Sequence, residues 1–146
     1  QGVPQDYKKA AEWYEKAAVG GNTDAMNYLG VCYYNGQGVP QDYKKAVEWY
    51  EKAAAGGNAI AMRNLGKCYE NGQGVPQDYK KAAEWYEKAA AGGNASAMYN
   101  LGMCYYNGHG VDQDYGKAVE WYEKAKEAGD TRAAEAIERV KDKMEE

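Results

Sequence analysis

Residues 38–73 read GVPQDYKKAVEWYEKAAAGGNAIAMRNLGKCYENGQ, and residues 74–109 read GVPQDYKKAAEWYEKAAAGGNASAMYNLGMCYYNGH. The two stretches differ at six of 36 positions. Working outward, the same opening appears as Gly2-Val3-Pro4-Gln5-Asp6-Tyr7 and as Gly110-Val111-Asp112-Gln113-Asp114-Tyr115. Trp13, Trp49, Trp85 and Trp121 keep the step of 36, as do Leu29, Leu65, Leu101 and, in the last unit, Ile137. A fixed period of this size is the signature of stacked repeats, each of which buries its apolar face on its neighbours. The 146 residues divide into four units, about 1–36, 37–72, 73–108 and 109–146, within one continuous domain.

Each unit holds two helices. A B-type helix is expected over about 6–18, 42–54, 78–90 and 114–128. Its Asp follows Pro-Gln or Asp-Gln, and an Asp there accepts the free backbone N–H groups of a first turn. Tyr7, Ala10, Ala11, Tyr14, Ala17 and Ala18 share one face at helical spacing, whereas Lys8, Glu12, Glu15 and Lys16 lie off it. The tryptophans, at the same place in every copy, are expected in the core. Gly20-Gly21 stops the helix. An A-type helix follows at about 22–35, 58–71 and 94–107, with Asn22 as its N-cap, Gly36 as its stop and Ala25, Leu29, Cys32 and Tyr33 as its buried stripe. Gly30, Gly66 and Gly102 sit in mid-helix, at a cost of about 1 kcal/mol each against alanine. A cost repeated three times implies that a ring from a B-type helix presses on the backbone there. The last helix, expected over 131–146, keeps apolar Ala133, Ala134, Ile137 and Val140 but is otherwise charged, as suits a terminal cap.

Leu, Ile and Val number only 3, 2 and 9, and Phe is absent, a composition that usually signals disorder. Here 15 Tyr, 4 Trp and abundant Ala replace them, and large rings against small residues also make a core. The net charge of −4 gives no basic stripe for nucleic-acid phosphates. There is no apolar run near 18 residues for a membrane span, and no leader is visible. No native compartment follows from these features; expressed recombinantly, the chain is expected to be soluble and cytoplasmic.

Few residues could carry covalent chemistry. Ser96 is the only serine, Thr23 and Thr131 the only threonines, and His109 the only histidine. No Ser/His/acid constellation is in view, so no enzyme is expected. His109, where the other units have Gln1, Gln37 and Gln73, reads as a solvated loop residue. Cys32, Cys68 and Cys104 recur once per unit. Neighbouring helices pack about 10 Å apart, too far for disulfide Cα atoms, which need about 7 Å. They read as small buried hydrophobes, and neither a metal nor another cofactor is called for.

The run Ala-Met-x-x-Leu-Gly-x-Cys-Tyr, followed by Asn-Gly-x-Gly-Val-x-Gln-Asp-Tyr-x-Lys-Ala-x-Glu-Trp-Tyr-Glu-Lys-Ala, resembles the Sel-one-like repeat family over essentially the whole chain. These repeats are cousins of tetratricopeptide repeats. The resemblance implies an all-α, right-handed superhelix of helix pairs that acts as an adaptor between proteins, without enzymatic activity. Some bacterial relatives carry two cysteines per repeat as disulfides and are linked to β-lactam binding; this sequence, with one, departs from them. The near-identity of the units is also the pattern of an engineered consensus protein, and recent duplication produces it too.

The positions that change between units fall on one stripe of the A-type helix: Asp24/Ile60/Ser96, Asn27/Arg63/Tyr99, Tyr28/Asn64/Asn100, Val31/Lys67/Met103 and Tyr34/Glu70/Tyr106. Their offsets of i, i+3, i+4, i+7 and i+10 place them on a single face. In tetratricopeptide-like solenoids that face lines the concave groove. Free of packing duty and rich in Tyr, Met and Arg, these residues are expected to bind a peptide or protein. Asn35, Asn71 and Asn107 end the helices beside it, either as helix caps or as donors to a ligand backbone, as an asparagine is in the related clamps. A scaffold with no ligand is the alternative. The first B-type helix has no A-type helix before it, so part of its ring-bearing face should lie bare and favour end-to-end self-association.

Overall fold

The computed structural model describes residues 3–146. Gln1 and Gly2, the start of the first unit, lie outside the described residues. Eight helices follow one another: α1 (Val3–Val19), α2 (Thr23–Asn35), α3 (Tyr43–Ala55), α4 (Ala59–Asn71), α5 (Tyr79–Ala91), α6 (Ala95–Asn107), α7 (Tyr115–Glu127) and α8 (Ala133–Met144). Among the described residues there is no strand. Each helix packs on the next, which is the all-α helical solenoid expected from the repeat.

The helix ends follow from the side chains at the boundaries. Asn22, Asn58 and Asn94 accept the N–H of Ala25, Ala61 and Ala97 at 2.8–2.9 Å. Asp42, Asp78 and Asp114 accept from Lys45, Lys81 and Lys117 at 3.0 Å. Gly36, Gly72 and Gly108 close α2, α4 and α6 at φ 69°, 67° and 72°, a left-handed turn that favours glycine. Gln41, Gln77 and Gln113 in the following loops donate back to carbonyls of the helices they leave, those of Tyr34, Glu70 and Tyr106.

Two boundaries differ from expectation. α1 begins at Val3, ahead of Asp6. In the later units the backbone N–H of Asp42, Asp78 and Asp114 is held by Tyr33, Tyr69 and Tyr105 carbonyls, which keeps that segment out of the helix. α8 spans only 133–144; Asp130 accepts from the Arg132 N–H, and Arg132 precedes the helix without a side-chain cap. Within α8 the buried residues are Ala133, Ala136, Ile137 and Val140, and Ala134 faces solvent.

The core is built from tyrosine against glycine. A Cβ added to Gly30, Gly66 or Gly102 would lie 2.5 Å from the ring of Tyr50, Tyr86 or Tyr122, respectively. All three rings are buried among alanines, Tyr50 with Leu65 and Cys68, Tyr86 with Leu101 and Cys104, and Tyr122 with Ile137 and Val140. The expected ring on the glycine backbone is therefore present, but it is not tryptophan. Trp49, Trp85 and Trp121 are half-buried, and Trp13 is 70% exposed. The residue one step beyond each Trp points at the preceding A-type helix. The indole lies at the edge of that face, where Lys52, Lys88 and Lys124 cover it at 4.3–4.6 Å. On α1, which lacks that neighbour, Tyr7 and Ala17 are exposed.

Candidate functional site

The changing positions lie on α2, α4 and α6. Asp24, Tyr28 and Ile60 are exposed; Val31, Tyr34, Arg63, Asn64, Lys67, Glu70, Ser96, Tyr99, Met103 and Tyr106 are partly exposed. Asn27 and Asn100 are buried, at 4% and 6% exposure. The expectation that this whole face is free of packing duty is corrected by these two and by the bonds around them. Asn64 Nδ2 donates to Asn27 Oδ1 at 2.9 Å. Arg63 donates through Nη1 to Asn64 Oδ1 at 3.3 Å and through Nε to Asn100 Oδ1 at 3.4 Å. A polar ladder thus runs from α2 through α4 to α6. Side chains one step of the repeat apart come within reach of each other, so a position that varies also has to match its neighbours.

The same coupling recurs along the face. Asn58 donates to Asp24 at 2.9 Å, Tyr34 OH donates to Gln73 Oε1 at 2.7 Å, and Tyr86 OH donates to Glu70. Tyr28, Tyr34 and Tyr106 pack against Tyr14, Tyr43 and Tyr115 at 5.1–5.5 Å between ring centres. Tyr99 is held between Tyr122, at 5.3 Å, and the Arg132 guanidinium, at 4.1 Å. Arg132 also reaches Ser96 Oγ at 3.4 Å and is anchored by Asp130 at 2.6 Å. The hydrogen bonds from Arg132 hold the Asp130 carboxyl below its usual range. Sequence reasoning assigned Arg132 only to the charged face of the cap. Its signal is positional: it stands one 36-residue step beyond Ser96.

Between α2 and α4 this face opens into a hollow of about 260 Å³ lined by Val31, Tyr34, Asn35, Tyr50, Arg63, Asn64 and Lys67. The next step, between α4 and α6, leaves only about 20 Å³ among Glu70, Ala82, Asn100, Met103, Cys104, Asn107 and His109. A larger space of about 590 Å³ lies over Glu12, Glu15, Lys16 and Val19. Those four residues belong to one helix, which cannot enclose a ligand, so that space is open surface.

His109 is not a freely solvated loop residue. It stacks on Tyr79 at 4.2 Å and 9° and is half-buried. The three cysteines are buried and unbridged, as their spacing predicts. Burial pushes the Cys32 thiol up, the Cys68 thiol up to about 11 and the Cys104 thiol up to about 12. They are protonated at neutral pH, whereas nucleophiles and metal ligands are thiolates. Among the described residues no group of three His, Cys, Asp or Glu side chains could hold a metal ion. Nor, among the described residues, is any helix long and apolar enough to cross a membrane.

The Sel1 repeat model matches residues 1–22, 23–58, 59–94 and 95–130. Among solved structures, the chain is similar to a protective antigen of uropathogenic Escherichia coli strains that displays an SLR fold. That match has 39% identity and a TM-score of 0.86, and covers 94% of this chain and 29% of that one. A Sel1 repeat protein from Oxalobacter formigenes is 34% identical with a TM-score of 0.86, over 91% of this chain and 54% of that one. Cysteine rich protein B of Helicobacter pylori is 30% identical with a TM-score of 0.72, over 93% and 99% of the two chains. The chain therefore spans less than a third of the first of these proteins and about half of the second. No curated protein sequence matched.

Proposed function

Because the chain belongs to the Sel1 repeat family, whose members are generally protein-interaction scaffolds and typically not enzymes, we propose that it holds a peptide or protein on the face formed by α2, α4 and α6. One observation carries this reading. Between residues 38–73 and 74–109, four of the six differences, at positions 60, 63, 67 and 70 of the first copy, fall on that face, while the buried tyrosine, glycine, leucine and cysteine stay the same. Changes on a solvated surface of no consequence would favour Lys and Glu, and Lys67 and Glu70 are of that kind; the same positions in the next copy are Met103 and Tyr106, and Tyr99 stands where the first has Arg63. Large rings and arginine are the residues that anchor interfaces.

The ladder from Asn27 to Asn100 supports a second reading, a bare scaffold in which this face only joins the repeats. The near-identity of the units supports consensus design as the origin in either case.

Selection from a random linear peptide library, followed by amide chemical-shift mapping, separates the two readings. A binding module yields peptides that shift resonances of α2, α4 and α6 and lose at least tenfold in affinity with Arg63→Ala or Tyr99→Ala. Lys8→Ala and Glu15→Ala, on the outer face, leave affinity unchanged. Peptides that map to the outer face, or no selected peptide at all, would reject the groove.

A further inference from the structure

We infer that the hollow between α2 and α4 is a carboxylate site, which takes one acidic group of a peptide lying on the face proposed above and so rests on that reading. Arg63 and Lys67 stand one helical turn apart on α4 and both line the hollow. Like charges at that spacing repel each other. The chain carries 22 acidic residues against 18 basic ones, yet among the described residues neither Arg63 nor Lys67 is in an ion pair; Asp130 feels the Arg63 charge only as its smallest influence and is itself held by Arg132. Among the described residues the ion pairs are Arg132–Asp130, Arg139–Glu135 and Lys143–Glu146. The fold thus keeps two partly buried cations together without an ion-pair partner, beside a hollow of about 260 Å³ where the next step offers about 20 Å³.

The shape and donors select the anion. Asn64 and Asn100 take Arg63 Nη1 and Nε. Arg63 Nη2 and the Lys67 ammonium have no acceptor among the described residues, and two donors match the two oxygens of a carboxylate. Val31 and the rings of Tyr34 and Tyr50 form the remaining wall, against which the methylene groups of an acidic side chain can lie. About 260 Å³ is below the range of pockets that hold whole small-molecule ligands and suits one side chain. The neighbouring step excludes a second acid. It offers about 20 Å³ beside Glu70, which already accepts from Tyr86. The site therefore reads a single acidic group with apolar flanks, not an acidic run.

The test uses three probes: N-acetyl-leucyl-glutamyl-tyrosine amide, its glutaminyl counterpart, and the glutaminyl peptide with a free C-terminal carboxylate. Titration is followed by the Arg63 Nε–H and the Asn35 and Asn64 side-chain amide resonances. The glutamyl amide should bind at least tenfold tighter than the glutaminyl amide. Arg63→Gln and Lys67→Gln should each remove that preference, Arg63→Lys should retain part of it, and Glu15→Gln should leave it intact. Binding of the free-acid glutaminyl peptide in place of the glutamyl amide would assign the carboxylate to a chain terminus, and still to this site. Equal binding of acid and amide, absence of binding by all three, or a preference that survives Arg63→Gln with Lys67→Gln in one chain would overturn the inference. Thermal melts show that each variant is folded. Library peptides that map to α2, α4 and α6 without a preference for acids would remove the carboxylate site and leave the groove standing. Peptides that map to the outer face remove both.

Discussion

At Gly66 the chain gives up about 1 kcal/mol of helix propensity against alanine, and the Tyr86 ring occupies the space a side chain would need. Gly66→Ala should therefore lower stability by about 1–3 kcal/mol, the usual cost of overpacking a core. Gly116, exposed in the first turn of α7 where other units have Lys44 and Lys80, is the control. Gly116→Ala should raise stability by up to about 1 kcal/mol. Urea denaturation of both variants measures the contrast, and the same sign for the two would contradict it. The adjacent Trp85 and Tyr86 make a second pair. Tyr86 is fully buried, whereas Trp85 is half-buried under Lys88. Tyr86→Ala should cost about 3–5 kcal/mol, as emptied aromatic sites do. Trp85→Ala should cost roughly half that or less, because a partly exposed side chain leaves no closed cavity. An equal loss would return tryptophan to the core.

The A-type helices do two jobs with opposite faces. One face holds Leu, Cys and Gly against the tyrosines, and the other carries the ladder and the proposed site. The buried thiols make the first face sensitive to alkali. Burial raises the Cys68 and Cys104 thiols to about 11 and 12 from an ordinary value near 9. The unfolded chain thus loses these protons first. The stabilisation is complete below pH 9 and is lost as pH rises through 11–12. The buried tyrosines Tyr50, Tyr86 and Tyr122 are raised for the same reason and act in the same direction. Urea midpoints should be flat from pH 7 to 8.5 and fall above pH 9, and Cys68→Ala should flatten part of that fall. A midpoint that rises with pH above 9 would mean that the thiols are not buried.

On the scale of the whole molecule, the two ends of the repeat array differ. α8 buries Ala133, Ala136, Ile137 and Val140 and carries a charged outer side. Arg132, just ahead of α8, reaches Ser96 and Tyr99, so this end borders the proposed site. At the other end α1 leaves Tyr7 at 42% exposure and Tyr14 half-buried. We propose that this bare face drives weak end-to-end association of this chain. Static light scattering from micromolar to millimolar concentration should show a rising apparent mass, reduced by Tyr7→Lys. A strict monomer throughout would remove the proposal.

The step of 36 residues, the helix count, the Asn caps, the Asp caps of α3, α5 and α7 and the glycine stops of α2, α4 and α6 were legible in the sequence, whereas Asp6, expected to cap the first helix, lies inside α1. They depend on local backbone chemistry and on a period that repeats. The ring at Gly30, Gly66 and Gly102 was legible as a need, since nothing local excuses a glycine there. Which ring meets it was not. Trp and Tyr are neighbours on one helix, 100° apart in direction, and only the angle at which the B-type helix meets its neighbour selects Tyr50, Tyr86 and Tyr122. The changing face was likewise visible as a stripe. Its division into buried Asn27 and Asn100, Arg63 in the ladder and an open hollow beside Lys67 depends on distances between helices that are 36 residues apart in sequence. A helical period determines which side chains share a face, and tertiary packing decides which of them meet.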